Sequence, residues 1–183
     1  LPPLQRDTLS NGLKIVFAER HNAPVVQFNL IVDAGYAADS LATPGTAKLA
    51  LAMLDEGTTT RDSLQIAARA EELGAQMGAG SSLDTSTLSL NALTSRLPES
   101  LDLFADVLLR PTFPQKELDR LKKQSLVAIQ QERAQPYGIA SRLYPRLIYG
   151  EGHAYANPLS GNGSEASINA LTHAQLIAFS IRW

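Results

Sequence analysis

The chain has 183 residues, a mass of 19.7 kDa and a formal net charge of -2, from 16 Lys and Arg against 18 Asp and Glu. That balance leaves no electrostatic footprint for nucleic acid and no basic helix for an anionic membrane. No apolar run approaches the roughly 18 residues of a membrane span, and the absence of cysteine excludes disulfides, thiolate metal sites and cysteine nucleophiles.

A hydrophobic fraction of 44% and a mean hydropathy of -0.08 suit an ordinary globular chain with a continuous core. Leu1-Pro2-Pro3-Leu4 is neither basic nor apolar enough to be a signal peptide. The missing initiator Met and the end at Arg182-Trp183 lead to the expectation of a piece of a longer protein.

The first third reads as strands. Ser10-Asn11-Gly12 between apolar flanks predicts a hairpin, because Asn-Gly tolerates the positive φ of a type I′ turn, with residues 13–18 as one strand. Residues 25–32 alternate, placing Val26, Phe28, Leu30 and Val32 on one face, and Asp33-Ala34-Gly35 ends the pattern. Residues 46–55 are apolar almost all round, as in a buried helix. Asp62 with Gln65 reads as a capping box, followed by a stripe of Ile66, Ala67, Ala70 and Leu73 and by Gly74 as a C′ residue.

Residues 76–82 and 84–93 predict a second strand pair, with Leu88, Leu90 and Ala92 facing one way and Thr87, Ser89 and Asn91 the other. Residues 97–109 predict a helix with Pro98 in its first turn and Leu97, Leu101, Phe104 and Leu108 on one face. A long helix over 116–135 is stopped by Pro136, a further helix covers 138–148, residues 150–163 are loop-like, and 172–181 close the chain as a helix. No repeat or linker interrupts residues 1–183. The reading is one α+β domain with helices packed on an antiparallel or mixed sheet.

The motif that carries chemistry lies in the 46–55 helix. An inverted zinc-peptidase helix has the form H-x-x-E-H, with two histidines at i and i+4 on one face and a glutamate between them as general base. Lys48, Leu51 and Ala52 stand at those three places. A Lys ammonium only donates, and Leu and Ala have no lone pair, so no catalytic residue and no metal ligand is expected here. Lys48 is open to two readings: a cation standing in for the metal, paired with a carboxylate of the long helix, or a side chain that snorkels out of an apolar helix. Asp55 and Glu56 diverge around the helix, which suits solvation or capping. His21, His153 and His173 share no metal-ligand spacing, and His153 is expected to fix its Gly-rich loop by hydrogen bonding. The glycines from Gly74 to Gly80 follow a helix and lack a Lys-Ser/Thr ending, so they read as a C-cap running into a strand. No serine sits in G-x-S-x-G. Glu71-Glu72 and Lys122-Lys123 read as solvated helix faces.

Seven segments in order resemble the pitrilysin/insulinase family of zinc metallopeptidases, which includes mitochondrial processing peptidase. They are Leu9-Ser10-Asn11-Gly12-Leu13; Asp33-Ala34-Gly35; the degenerate helix ending Glu56-Gly57-Thr58; Glu72-Leu73-Gly74-Ala75; Ser81-Ser82-Leu83-Asp84; Ala105-Asp106-Val107-Leu108-Leu109-Arg110-Pro111-Thr112-Phe113; and Tyr149-Gly150-Glu151-Gly152-His153-Ala154-Tyr155. In that family the third zinc ligand is a glutamate on a long helix. Counting on from Ala52 at the family's spacing, and counting back eight from Pro136, both land on Ala128. Lys48, Leu51, Ala52 and Ala128 are therefore the degenerate former-site positions that the resemblance implies.

The resemblance implies the first domain of an inactive half, which closes a peptide-enclosing chamber opposite an active half that holds the zinc. The implied partners are that active metallopeptidase half, in the same polypeptide or a separate subunit, and peptide substrates. No substrate-binding residue is carried over. The parent would be a zinc metalloendopeptidase and this chain inactive. The alternative is a non-proteolytic scaffold subunit of the same fold. An isolated half-unit is expected to expose a packing face and to form a homodimer through it. The bacterial periplasm is the compartment expected first, the mitochondrial matrix second.

Overall fold

A computed structural model describes residues 2–183. The chain opens with β1 (Leu4–Thr8) and β2 (Lys14–Ala18), antiparallel, with Leu4 opposite Ala18 and Thr8 opposite Lys14. The hairpin is as expected but its turn is not type I′. Gly12 alone in the loop has positive φ, at +87°, while Asn11 stays out of the left-handed region. The Gly12 N–H donates to the Leu9 carbonyl (2.9 Å) and the Leu9 N–H to the Leu13 carbonyl (2.8 Å). This is a three-residue loop, a type I turn closed by a left-handed glycine. Asn11 serves it with its side chain, accepting the Leu13 N–H at 3.1 Å.

A second sheet holds β3 (Val25–Val32), β4 (Gln76–Ser81) and β5 (Ser86–Leu93) in the order β3-β5-β4, antiparallel throughout. The central strand alternates as read: Ser86, Leu88, Leu90 and Ala92 are buried, and the residues between them are not. Pairing of Leu30 with Leu88 and of Phe28 with Leu90 puts the apolar positions of β3 on the same face. Phe28 meets Phe104 edge-on at 5.5 Å.

Seven helices follow: α1 (Thr46–Ala52), α2 (Ser63–Leu73), α3 (Leu97–Leu109), α4 (Gln115–Arg133), α5 (Pro136–Tyr149), α6 (Glu165–Ala170) and α7 (His173–Arg182). The Asp62–Gln65 capping box of α2 and its left-handed Gly74 stand as read. Four details differ from the sequence reading. α1 stops at Ala52 and tightens into a 3-10 turn over Leu54–Glu56. Pro136 ends α4 and also starts α5, its fixed φ suiting a first helical turn. In α3 the buried face is Leu103, Phe104 and Val107, while Leu101 is 37% exposed. α6 is unforeseen. Its capping box is Ser164 with Ser167, without the Glu or Gln that usually marks one.

The core gathers between the inner face of the second sheet and the helices. Ala47, Met53, Ile129 and Leu176 are fully enclosed. The small residues Ala47 and Ala50 let α1 lie close to α7 and β4. α5 carries Pro145 in its interior, which has no N–H to offer the Ser141 carbonyl four residues back. The Leu159 N–H takes that carbonyl instead, at 3.2 Å. A helix-breaking residue thereby docks the segment after α5.

Candidate functional site

The start of α1 is held from a distance. Gly45 supplies no side-chain cap. Asp39, in the 3-10 turn Tyr36–Leu41, accepts the Gly45 N–H at 2.7 Å and the Ala47 N–H at 2.9 Å. It does so at 2% exposure, filling the role of an N-cap from outside the helix. Burial pushes its carboxyl up to about 6, against the pull of the backbone N–H groups of Ala47, Gly45 and Thr46.

One turn into α1 stands Lys48. It is exposed as a residue, yet its Nζ donates to the Ser160 carbonyl at 2.9 Å. Crowding by protein lowers its pKa, and the negative charge of Glu132 works the other way. Among the described residues no carboxylate comes within ion-pair distance of Nζ. Neither reading of Lys48 holds alone: the side chain leaves the helix, but it ends on a backbone carbonyl 112 positions away. Leu51 and Ala52 line a cavity of about 380 Å³ with Met77, Gly78 and Ala79 of β4 and with Phe104. Ala128 is half-buried on α4 and does not line that cavity.

Residues 157–163 form a strap across this region. The Tyr36 hydroxyl donates to the Leu159 carbonyl (3.0 Å) and Asn157 Nδ2 to the Tyr36 carbonyl (3.3 Å). Gly163 sits at φ +63°, where a Cβ would lie 2.4 Å from the Pro44 carbonyl oxygen, so only glycine fits. Glu132 on α4 accepts from Arg142 of α5 at 2.6 Å and from Asn162 Nδ2 at 2.5 Å, and Arg142 also donates to the Gly163 carbonyl at 2.5 Å. Burial would raise the Glu132 carboxyl, but hydrogen bonds from Arg142, Ser160 and Asn162 outweigh it and hold it below the usual range. The sequence reading missed Glu132, Arg142, Ser160 and Asn162. The one available signal was Glu132 lying a helical turn beyond Ala128.

Other charged residues serve the frame. Glu56 pairs with Arg120 of α4. Lys122, read as solvated, instead donates to the Asn169 and Leu171 carbonyls at 2.8 and 2.9 Å, closing the end of α6. Asp106 accepts from Thr58 (2.9 Å), Thr60 (2.7 Å) and Arg61 (2.7 Å), tying the loop after α1 to α3. His153 fixes its loop as expected, accepting the Tyr155 N–H on Nδ1 at 3.0 Å and stacking on Tyr149.

The donor chemistry does not suit a divalent ion. Lys48, Leu51, Ala52 and Ala128 present no free lone pair, and among the described residues no three His, Cys, Asp or Glu side chains converge. No helix among them is long and apolar enough to cross a membrane.

Helices packed on antiparallel strands define an α+β domain. The family model "Insulinase (Peptidase family M16)" matches residues 14–157, and the chain belongs to that family. It is 28% identical over 177 residues to the alpha subunit of the mitochondrial-processing peptidase of Solanum tuberosum, which covers 96% of this chain and 34% of the relative. It is 25% identical over 181 residues to an uncharacterized zinc protease of Mycobacterium bovis, covering 97% of this chain and 40% of that protein. The chain thus spans little more than a third of the length of these curated relatives. Among solved structures it resembles the peptidase M16 inactive domain from Pseudomonas fluorescens, with a TM-score of 0.92 and 36% identity, covering 97% of this chain and 43% of that one. A protease from Helicobacter pylori shares the fold at a TM-score of 0.82 and 20% identity, covering 98% of this chain and 43% of that one.

Proposed function

We propose that this chain is a non-catalytic domain of a zinc-dependent M16 peptidase, lacking a zinc site of its own and walling a peptide-enclosing chamber opposite an active half. The observation that carries the reading is the donor set. The four positions that would hold and use the metal are Lys48, Leu51, Ala52 and Ala128, and the only polar one among them is engaged by Ser160. Zinc belongs to the active partner half, where it would activate water. The likeness to a Pseudomonas fluorescens inactive domain supports the same assignment.

The chamber role draws support from β4. This strand pairs with β5 along one edge only, and the cavity beside it is walled by Leu51, Met77, Phe104 and Val107. An unpaired edge next to an apolar cavity suits an extended peptide that adds backbone hydrogen bonds and inserts one apolar side chain. A second reading, a non-proteolytic scaffold, is favoured by the outer face of α5. There Tyr137 and Leu147 are each 82% exposed, in line with the exposed Leu143 and Tyr144. The same face would carry self-association of the isolated chain.

Metal analysis and peptide-hydrolysis assays on the purified chain test the reading. Zinc far below one per chain and no chelator-sensitive cleavage are expected, with cleavage appearing when an active M16 half is added. One zinc per chain overturns the assignment. No gain or loss of cleavage in any pairing favours the scaffold. Sedimentation is expected to show dimers at high concentration, and a strict monomer removes the self-association proposal.

A further inference from the structure

Lys48, Glu132 and Arg142 meet where α1, α4 and α5 converge on the strap, and the chamber role uses none of them. Ser160 is held through its carbonyl, which accepts from Lys48 at 2.9 Å. Glu132 accepts from Asn162 two residues on, and Arg142 bridges Glu132 to the Gly163 carbonyl. Three of the four strap residues 160–163, namely Ser160, Asn162 and Gly163, are thus reached from three helices, with an ionised group at every anchor. Charge-assisted hydrogen bonds of this kind are stronger than neutral ones.

We propose that the Lys48 ammonium is a built-in cationic tie: at the place where a relative with a complete H-x-x-E-H helix would bind an ion, it joins the strap, and through Glu132 the helix α4, to α1. The proposal rests on the reading of this site as non-metal-binding and says what the site does instead. The local charge count supports it. Glu132 already pairs with Arg142 and acts on the Lys48 charge from beyond ion-pair distance, so a divalent ion would enter as a third positive group with no second carboxylate to receive it. The reach of Lys suits the task. Four methylenes carry the charge from a helix to a carbonyl beyond the reach of a shorter side chain. Lys48 is a positioning residue here. Its effect falls on strap order and, through the strap, on the seating of α5 against α4.

Hydrogen exchange on the 183-residue chain separates the tie from general stability. Replacing Lys48→Met keeps much of the stem and removes the charge. The expected result is a roughly tenfold faster exchange of the Leu159, Gly161 and Asn162 amides, as for one charge-assisted bond lost, with the β5 amides unchanged and with Lys48→Arg restoring protection. Glu132→Gln is expected to loosen the same segment, and the double variant to be less than additive. Strap exchange in Lys48→Met equal to the unaltered chain overturns the tie, and so does an acceleration spread equally over β5. Titration of the unaltered chain with zinc alone is the separate arm. Zinc binding there defeats the non-metal reading, whereas the Lys48→Met result judges the tie by itself.

Discussion

The two ends of the chain's first fifty residues are held in opposite ways. Every residue of β1 and β2 is exposed, and the hairpin is kept by ladder pairing and one glycine turn. Beyond β3, α1 is only seven residues long, too short to persist alone in water. Its start is clasped by Asp39, its small side chains are enclosed by α7 and β4, and Lys48 is anchored by the strap. The hairpin is legible because its order is local. α1 is ordered because distant parts of the chain complete it.

The sharpest way to break this comparison is to truncate an apolar side chain in each region. Ile129→Ala in the packed region is expected to cost about 3 kcal/mol from lost burial and the cavity left behind. Phe17→Ala, on the exposed hairpin, is expected to change stability by no more than about 0.5 kcal/mol. Urea unfolding at fixed slope reads both, and equal losses would defeat the contrast. Glycines sharpen it next. Gly163→Ala meets both a left-handed backbone and the Pro44 carbonyl and is expected to cost on the order of 3 kcal/mol. Gly12→Ala has the same backbone problem with open space around it and is expected to cost about 1 kcal/mol.

A pH series gives the next smaller effect. The Asp39 carboxyl titrates near 6 when folded, above its ordinary 3.8, so the native state binds that proton more tightly than the unfolded chain. The stabilisation from protonation is complete below about 3.8 and is lost as pH rises through 6. Urea midpoints are expected to rise from pH 7 to pH 4.5, and to rise less in Asp39→Asn. A flat profile in the unaltered chain would count against it. Asp106 runs the other way. Burial alone would raise it, but hydrogen bonds from Thr60, Thr58 and Arg61 hold its carboxyl low, so its contribution is present above the ordinary carboxylate range and fails only in stronger acid. A further modest effect concerns α6. Ser164→Ala removes one half of its capping box and is expected to cost about 1 kcal/mol by the same unfolding assay.

Much of the fold was legible from residue patterns. Alternation in 86–93 named the buried face of β5, and Asp62 with Gln65 named the start of α2. Errors fell where one residue does two things. Pro136 ends one helix and begins another, Asn11 shapes its turn by side chain and not by backbone sign, and the Ser164–Ser167 box lacks the usual acidic member. The candidate site was half legible. Lys48, Leu51 and Ala52 carry no metal-binding lone pair by their own chemistry, but the sequence did not show that Lys48 is engaged by Ser160.

Taken alone, the order of residues determined the elements, their buried faces and the donor chemistry missing from α1. Those are properties of neighbours along the chain or of a side chain's own atoms. Only the tertiary structure decided that Lys48 ends on Ser160, that Glu132 collects Arg142 and Asn162, and that Leu159 takes the carbonyl freed by Pro145. Each of those bonds joins separate segments of the chain. No local period encodes such a meeting, which exists only once the core has brought the helices together.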